Sequence, residues 1–348
     1  MQTHLDHKDT INLGSFYTPK FCVEMAYQML EKVADLNEFL LLDNSCGYGD
    51  FFIKELKYLG ADIDEQALAK VNQNIQTICT NSLYQVSRKK YNISNYEKLI
   101  IIGNPPYNDK TSIIRNNIKQ NLFQIDENLK HRDLGISFLR SYEILQPELI
   151  CVLHPLSYLI KKTNFNALKE LSKNYRLIDG IVVSSEIFTP NSSTFFPIII
   201  ALYQKSTQGM DYEFIQNYSF KIYPDNHTLR LKDFDFIGNY VQKYPNHKDT
   251  RKEVAYFYTL RDINALKRSK TFLDKPQANA IKVFADNLKY YYYIHHFKQF
   301  AYRLPFYLGN LDVFIDNEEF LAIADDFCQL KPNNKVQMYF ERLFKEYV

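Results

Sequence analysis

The sequence predicts an α/β fold with a mostly parallel sheet in residues 1–205, followed by an α+β domain in residues 210–348. The chain has 348 residues, which is more than one ordinary compact domain holds and suits two. Short apolar runs alternate with helical patterns as far as Lys205, as is typical of strands buried between layers of helices. Beyond a polar segment from Lys205 to Gly209 the alternation ends, and aromatic residues mix with lysines and arginines.

The elements of the first domain follow in chain order from apolar runs and helical spacing. Thr18 before Pro19 is typical of a capped helix start, and apolar residues at helical spacing extend this helix to about Ala34. Asp64 should cap a helix that begins near Gln66. The other predicted elements are strands over 39–42, 59–62, 75–79, 99–102 and 149–153, helices over 50–58 and 135–145, and two last strands over 177–183 and 196–203, joined through 188–191.

The segment from Asp43 to Phe52 connects a buried strand to the next element and contains Gly47 and Gly49 in a G-x-G spacing. Glycines at such a turn let a ligand approach the backbone closely. The longer dinucleotide and P-loop fingerprints are absent, so a nucleoside without phosphates fits better than a phosphate. Asp62 ends the second strand 19 residues after Asp43, where an acid can accept both ribose hydroxyls.

Two further side chains near these strands have a functional and a structural interpretation. The amide of Asn81, after the third strand, can contact an adenine ring edge or simply stabilise a turn. His154 follows a buried strand and is either a catalytic base or a turn histidine. The polar connection over 108–132 is long, which is usual for functional or mobile loops.

Asn104-Pro105-Pro106-Tyr107 follows the apolar run Leu99–Ile102, where two prolines end any strand ladder. The lone pair of an exocyclic base amine is delocalised into the ring, and two acceptors for its protons would localise it on nitrogen. The side-chain oxygen of Asn104 and the carbonyl of Pro105 can serve as these acceptors, while Tyr107 can stack on the base. The structural alternative is a Pro-Pro turn in which asparagine is merely a favoured turn residue.

Charge is distributed unevenly, although the formal net charge is only +2. Residues 243–303 contain 13 basic and 5 acidic side chains, whereas residues 304–348 contain 4 basic and 8 acidic ones. The basic band fits a polyanionic partner, or else a solvated lysine-rich face. The N-terminal residues are polar, so no signal peptide or membrane span is expected there.

Five scattered cysteines, an odd number without a C-x-x-C pair, indicate reduced thiols in a cytoplasmic protein rather than a disulfide framework or a zinc site. The adjacent pair His295 and His296 lacks a third ligand, so no metal is expected.

The order of these motifs resembles the gamma-class DNA adenine-N6 methyltransferases of restriction–modification systems over about the first 200 residues. The motifs that carry the resemblance are Phe16-Tyr17-Thr18-Pro19, the segment Asp43 to Phe51, Asp62, and Asn104-Pro105-Pro106-Tyr107. The resemblance implies that residues 1–205 form a Rossmann-like catalytic domain that binds S-adenosylmethionine. It also implies a variable DNA target-recognition domain in residues 210–348, where no motif matches.

The same resemblance implies roles for individual residues. Those implied to bind the cofactor are Tyr17, Thr18, Asp43, Ser45, Cys46, Gly47, Asp62 and Asn81. Those implied to form the target-base pocket are Asn104, Pro105, Pro106 and Tyr107, with Phe188 stacking on the flipped base from the opposite side and Phe195 and Phe196 as competing assignments. Asn44 and Asn81 depart from the proline and the acid that are usual at these positions.

The implied reaction is direct transfer of a methyl group to adenine N6 of double-stranded DNA, without a metal. The expected partners are duplex DNA and a separate restriction endonuclease, since the chain has no evident room for a nuclease domain. Three alternatives stay open: an rRNA adenine-N6 methyltransferase, a protein-glutamine methyltransferase with the same pocket, and a non-catalytic DNA-binding subunit.

Overall fold

The computed structural model describes residues 17–107, 124–188, 194–225, 227–246 and 248–347, which form two compact units. The first unit consists of Met1–Asn191 and Ile198–Leu229, and the second of Ser192–Pro197 and Arg230–Val348. None of the helices in these described ranges is long and apolar enough to cross a membrane.

The first unit contains one large sheet and short helices. Its strands are β1 (Leu40–Asp43), β2 (Tyr58–Asp62), β3 (Gln76–Cys79), β4 (Leu99–Gly103), β5 (Leu149–Pro155), β6 (Tyr175–Ser184), β7 (Pro197–Lys205), β8 (Phe220–Ile222) and β9 (Thr228–Leu229). Its described helices are α1 (Lys20–Glu31), α2 (Glu65–Leu68), α3 (Leu134–Leu145), α4 (Ser157–Ile160), α5 (Lys162–Asn166), α6 (Glu170–Asn174) and α7 (Tyr212–Asn217). The strand order in the sheet is β3-β2-β1-β4-β5-β7-β6-β8-β9.

Five neighbouring strands, from β3 to β5 in this order, run parallel, and β7 is antiparallel to β5. Strands β1, β4 and β5 are buried along their whole length, since their apolar runs leave no polar face. Parallel alignment brings the segments that follow Asp43, Asp62 and Gly103 to the same edge of the sheet. The predicted α/β fold with a mostly parallel, Rossmann-like sheet is confirmed.

The predicted helix over 50–58 is wrong, because the structure has turns and bends between β1 and β2. The hydroxyl of Tyr27 donates to the carbonyl oxygen of Phe51 at 2.6 Å, and the Tyr58 hydroxyl accepts from the Lys54 amide at 3.3 Å. These side chains use backbone groups that a helix would pair internally.

The capped start predicted for the first helix is also wrong in detail. Helix α1 begins at Lys20, one residue later than predicted, with Pro19 at its N-cap position and no side-chain cap, and it ends at Glu31. Thr18 is not a cap, since its hydroxyl contacts Asn104 instead. The cap predicted at Asp64 is confirmed: its carboxylate accepts from the amides of Gln66 and Ala67 at the start of α2.

The sheet continues past the predicted linker at 205–209, so the strands over 177–183 and 196–203 are not the last ones. Strand β8 pairs in parallel with β6, and β9 pairs antiparallel with β8. Phe220 and Ile222 point inward and the residue between them is exposed, so β8 completes the apolar face at this edge. The first unit therefore extends to Leu229, whereas the prediction ended it at Lys205.

The second unit is α+β, as predicted. It combines β10 (Ala255–Tyr258), β11 (Phe272–Leu273) and β12 (Ala280–Val283), an antiparallel sheet, with α8 (Ile263–Arg268), α9 (Leu288–Phe300), α10 (Asn317–Ala322) and α11 (Asn334–Tyr347). Tyr291, Tyr293 and Phe297 of α9 are fully buried among other aromatic rings, so most of the aromatic run is core. His296 is also buried, with Nε2 hydrogen-bonded to the Gln329 carbonyl at 2.7 Å.

Candidate active site

The turn Asn104–Tyr107 leaves the carboxyl end of β4 beside the end of β1. Gly103 has φ +154°, and a Cβ on it would lie 2.7 Å from Oδ1 of Asp43. Glycine is therefore required here, because any side chain would collide with this carboxylate. The close approach places Asp43 next to the backbone that leads into Asn104.

The side chain of Asn104 is held at one end and has an unused acceptor at the other. Its Nδ2 donates to Oγ1 of Thr18 at 3.2 Å, and the backbone amide of Thr18 donates to the Asp50 carboxylate at 2.8 Å. The Oδ1 atom of Asn104 is buried and accepts no hydrogen bond within the described structure. A buried acceptor without a donor is unfavourable, so this oxygen is poised to accept a hydrogen bond from a ligand.

Tyr107 ends this turn, and its hydroxyl is buried. The residue is half-buried, but its hydroxyl is buried and has no hydrogen-bond partner among the described residues. Burial raises the pKa of this hydroxyl, as does the nearby Cys22 thiol. A Cβ on Gly135, at the start of α3, would lie 3.0 Å from the Cβ of Tyr107, so α3 supports this residue closely. Of the two prolines, Pro105 is buried and Pro106 half-buried.

A hydrogen-bonded brace fixes the start of α3 behind Tyr107. Asp133 caps α3 through the Gly135 amide at 3.2 Å, and the hydroxyl of Tyr158 donates to the same carboxylate. Tyr158 is only 1% exposed, and its ring stacks on His154. Sequence reasoning missed this brace, because its residues come from separate elements that only the fold brings together.

The turn after β1 is closed by two carboxylates. Oδ1 of Asp43 accepts from the Ser45 amide at 3.1 Å, and Oδ2 of Asp62 accepts from the Gly47 amide at 2.8 Å. Gly47 and Gly49 have φ of +50° and +81°, which is the left-handed region that favours glycine. Asp62 therefore ties the end of β2 to the turn that the sequence identified.

Ser45 and Cys46 have different surroundings within this turn. The hydroxyl oxygen of Ser45 is buried and has no partner among the described residues, so it can bond to a ligand. Cys46 packs with Leu68 and Val71, and burial raises the pKa of its thiol, so its side chain is core.

Three acids surround the turn, and burial raises the pKa of Asp43, Asp50 and Asp62. The pKa of Asp43 is raised further by the charges of the other two, although its bond from Ser45 opposes the rise. No lysine or arginine forms an ion pair with these acids in the described ranges. The site therefore suits a ligand that offers hydroxyl groups and a positive charge.

The substitution Asp43→Asn should stabilise the ligand-free protein by an amount that grows with pH. A carboxyl group whose pKa is raised in the folded state contributes stability below its unfolded pKa, roughly 3.9. This contribution is lost as the pH rises through the raised value. Urea unfolding midpoints from pH 4 to pH 8 measure the difference between variant and wild type. The exposed control Glu65→Gln should show no such trend, and parallel curves for Asp43→Asn and wild type would contradict the burial argument.

The other residues with predicted roles lie as follows. Tyr17 is 55% exposed beside Thr18, and Phe16 lies outside the described residues. Asn81 follows β3; its Nδ2 donates to the Gln124 carbonyl at 2.7 Å, and its Oδ1 accepts from the Leu83 amide at 3.0 Å. Most of its hydrogen-bonding capacity is thus used by the turn and by Gln124, although one N–H remains for a ligand.

The aromatic candidates for stacking on the base belong to different parts of the chain. Phe188 follows a 3-10 turn at the end of β6 in the first unit. Phe195 and Phe196 lie in the segment Ser192–Pro197, which belongs to the second unit. The choice among the three stays a prediction.

His154 is excluded as a base and is not a turn residue either. It lies within β5, fully buried, with Nε2 bonded to the Tyr203 hydroxyl at 2.6 Å and Nδ1 to the Pro155 carbonyl at 2.9 Å. Burial lowers its pKa to about 4, so the ring is neutral at physiological pH. Across the described parts of the chain, no cluster of three or more His, Cys, Asp or Glu could hold a metal ion.

No protein-family model and no curated protein matches this sequence. Similar solved structures include a modification subunit assigned to a type I restriction enzyme of Vibrio vulnificus YJ016, at 16% identity and a TM-score of 0.43. That match covers 62% of this chain and only 49% of the other. A protein assigned to class I S-adenosylmethionine-dependent methyltransferases, from Listeria monocytogenes, has 12% identity and a TM-score of 0.41, with 58% and 62% covered. A protein assigned as an RNA methyltransferase, from Pyrococcus horikoshii, has 12% identity and a TM-score of 0.39, with 56% and 88% covered.

Proposed function

We propose that this chain is a site-specific DNA methyltransferase that transfers a methyl group from S-adenosylmethionine to N6 of an adenine flipped out of duplex DNA, as part of a restriction–modification system. The observation that carries the proposal is the buried, unpartnered Oδ1 of Asn104 in an Asn-Pro-Pro-Tyr turn at the carboxyl end of β4. An exocyclic amine supplies the donor that this oxygen lacks.

The residues around the glycine turn fit the methyl donor. S-adenosylmethionine supplies an electrophilic methyl group on a sulfonium sulfur, and it carries an ammonium group and two ribose hydroxyls. In the proposal, Asp62 accepts from the ribose hydroxyls, and the buried acids near the turn favour the positive charges. Gly47 and Gly49 let the backbone approach such a ligand without a side chain in the way.

The target pocket acts by positioning and by accepting protons. Asn104 Oδ1 accepts one N6 proton and the Pro105 carbonyl the other, which localises the nitrogen lone pair toward the methyl group. The N–CH3 bond forms as the S–CH3 bond breaks, and one N6 proton then leaves to solvent. Flipping the base costs a few kcal/mol, and stacking on the Tyr107 ring would offset roughly 1–3 kcal/mol of it.

The chain Asp50–Thr18–Asn104 connects the two halves of this site. The carboxylate of Asp50, which sequence reasoning left without a role, fixes the Thr18 backbone, and the Thr18 hydroxyl fixes the Asn104 amide. In the proposal, these hydrogen bonds connect the cofactor side of the site, at Asp50, with the target-base side, at Asn104. In the proposal, Thr18 orients Asn104 rather than capping a helix.

The proposed function is tested by incubating the purified protein with methyl-labelled S-adenosylmethionine and three substrates: mixed-sequence duplex DNA, ribosomal RNA, and cellular protein. We expect label in DNA, recovered as N6-methyladenine on nucleoside mass spectrometry. Label in RNA adenine or in protein glutamine would select one of the alternatives instead. A folded protein that labels none of the three would contradict catalysis altogether.

A further inference from the structure

The basic side chains of the second unit divide into two groups according to whether they face a carboxylate. Among the described residues, seven form ion pairs within the unit: Arg230, Lys243, Arg251, Lys289, Arg303, Lys335 and Arg342. Arg251, for example, contacts both Asp249 and Asp286 and lies over the ring of Phe284. Each of these cations already has an acidic partner, whose negative charge offsets part of its attraction to an outside anion.

The α8 basic strip, defined as Arg261, Lys267, Arg268 and Lys270, belongs to the other group. Within the part of the chain that the structure describes, none of these four side chains forms an ion pair, a side-chain hydrogen bond or a ring contact. They lie within ten consecutive residues in and around helix α8. This is the densest concentration of unpaired positive charge in the described second unit.

Part of the strip lines a cleft. Arg261 and Lys270 border a small surface cleft, together with the hydroxyl residues Thr259 and Ser269. Asp262 also lines it, but its Oδ1 accepts from the Ala265 amide and so caps α8. Both hydroxyls already donate to backbone carbonyl oxygens, so the donors left for a phosphate at this opening are the two unpaired cations.

Lys267 adds an energetic argument. Its side chain is half-buried, and burial lowers the pKa of its ammonium group. A partly desolvated cation without an anion destabilises the protein, and an incoming phosphate would remove this cost. The position therefore favours an anionic partner over a merely solvated lysine-rich face.

We propose that the α8 basic strip is the surface through which the second unit binds the phosphate backbone of duplex DNA. The choice of DNA over another polyanion rests on the proposed function. Of the basic residues between 243 and 303, the proposal assigns DNA binding only to the four of the α8 basic strip. Arg251 has a structural role instead.

The test compares two full-length variants that remove the same amount of charge. The strip variant carries Arg261→Gln, Lys267→Met, Arg268→Gln and Lys270→Gln. The control carries Lys232→Gln, Lys252→Gln, Lys331→Gln and Lys345→Gln, four exposed lysines elsewhere in the unit that form no ion pair with another described residue. Fluorescence anisotropy with a 30-base-pair duplex of random sequence, at NaCl concentrations from 50 to 300 mM, gives the slope of log affinity against log salt. Unfolding midpoints and S-adenosylmethionine affinity verify that each variant is folded.

We expect the strip variant to lose about 0.9 from the magnitude of the salt slope per phosphate contact, or roughly 3–4 if all four residues bind phosphates. The control should keep the wild-type slope. Equal losses in the two variants, or a loss in neither, would overturn the proposal. So would a strip variant that loses affinity for an RNA hairpin while binding the duplex normally. Strip-dependent binding of duplex DNA by a wild-type protein that labels no DNA would support the strip and contradict the proposed methylation.

Discussion

Replacing Asn104 with alanine should lower the methylation rate by about 10²–10³ while leaving S-adenosylmethionine affinity nearly unchanged. The variant removes a buried acceptor for which the described residues provide no donor. It should not unfold the protein, because it also removes an unsatisfied oxygen and loses only the bond to Thr18. Single-turnover kinetics with duplex DNA measure the rate, and calorimetry measures cofactor binding.

The conservative variant Asn104→Asp separates this role from a general disturbance of the turn. Aspartate keeps an oxygen where Asn104 has Oδ1, and the Thr18 hydroxyl can donate to its second oxygen. We expect Asn104→Asp to keep substantially more activity than Asn104→Ala. Near-normal turnover in the alanine variant would refute the assignment, and equal loss in both variants would indicate disruption of the turn rather than loss of an acceptor.

Replacing Asp62 with asparagine should weaken S-adenosylmethionine binding by about 1.5–3 kcal/mol, or roughly 10- to 150-fold in Kd. The two carboxylate oxygens of Asp62 each accept from a backbone amide, those of Gly47 and Asp64, and in the proposal their remaining lone pairs accept from the ribose hydroxyls. Asparagine offers a single oxygen and no charge, so both the turn and the ligand lose an acceptor.

The matched control is Asp64→Asn, two residues away. Asp64 caps α2, and asparagine is as good a cap as aspartate, so cofactor affinity should not change. Titration calorimetry on both variants makes the comparison. If Asp64→Asn weakened binding and Asp62→Asn did not, the ribose role would belong to Asp64.

The sequence was most informative where a residue's role depends on its immediate neighbours. The run Leu99–Ile102 leaves no polar face, and two prolines after it end the strand, so the position of Asn104 at a sheet edge could be predicted. The same reasoning placed Asp62 at the end of β2 and Asp64 at a helix cap. Each of these is a local consequence of burial or of capping.

The sequence was least informative where a residue's hydrogen-bond or ion-pair partner is distant in the chain. Thr18 looks like a helix cap by its neighbour Pro19, but its hydroxyl bonds to Asn104, 86 residues away. The helix expected over 50–58 is absent because Tyr27 takes the Phe51 carbonyl. Arg251 also forms an ion pair with Asp286, 35 residues away in the chain, which distinguishes it from the unpaired cations of the α8 basic strip. A count of charges along the sequence does not reveal such a tertiary contact.

The central claim is tested most directly by the modified bases in a host genome. The chain is expressed in a bacterial host that lacks DNA methylation, and its genomic DNA is sequenced by a method that detects N6-methyladenine. We expect N6-methyladenine at one recurrent sequence, and none in cells that express the Asn104→Ala variant at the same level. Unmodified genomic adenine in cells that contain folded wild-type protein with normal S-adenosylmethionine affinity, together with methylated ribosomal RNA or glutamine, would contradict the assignment to DNA.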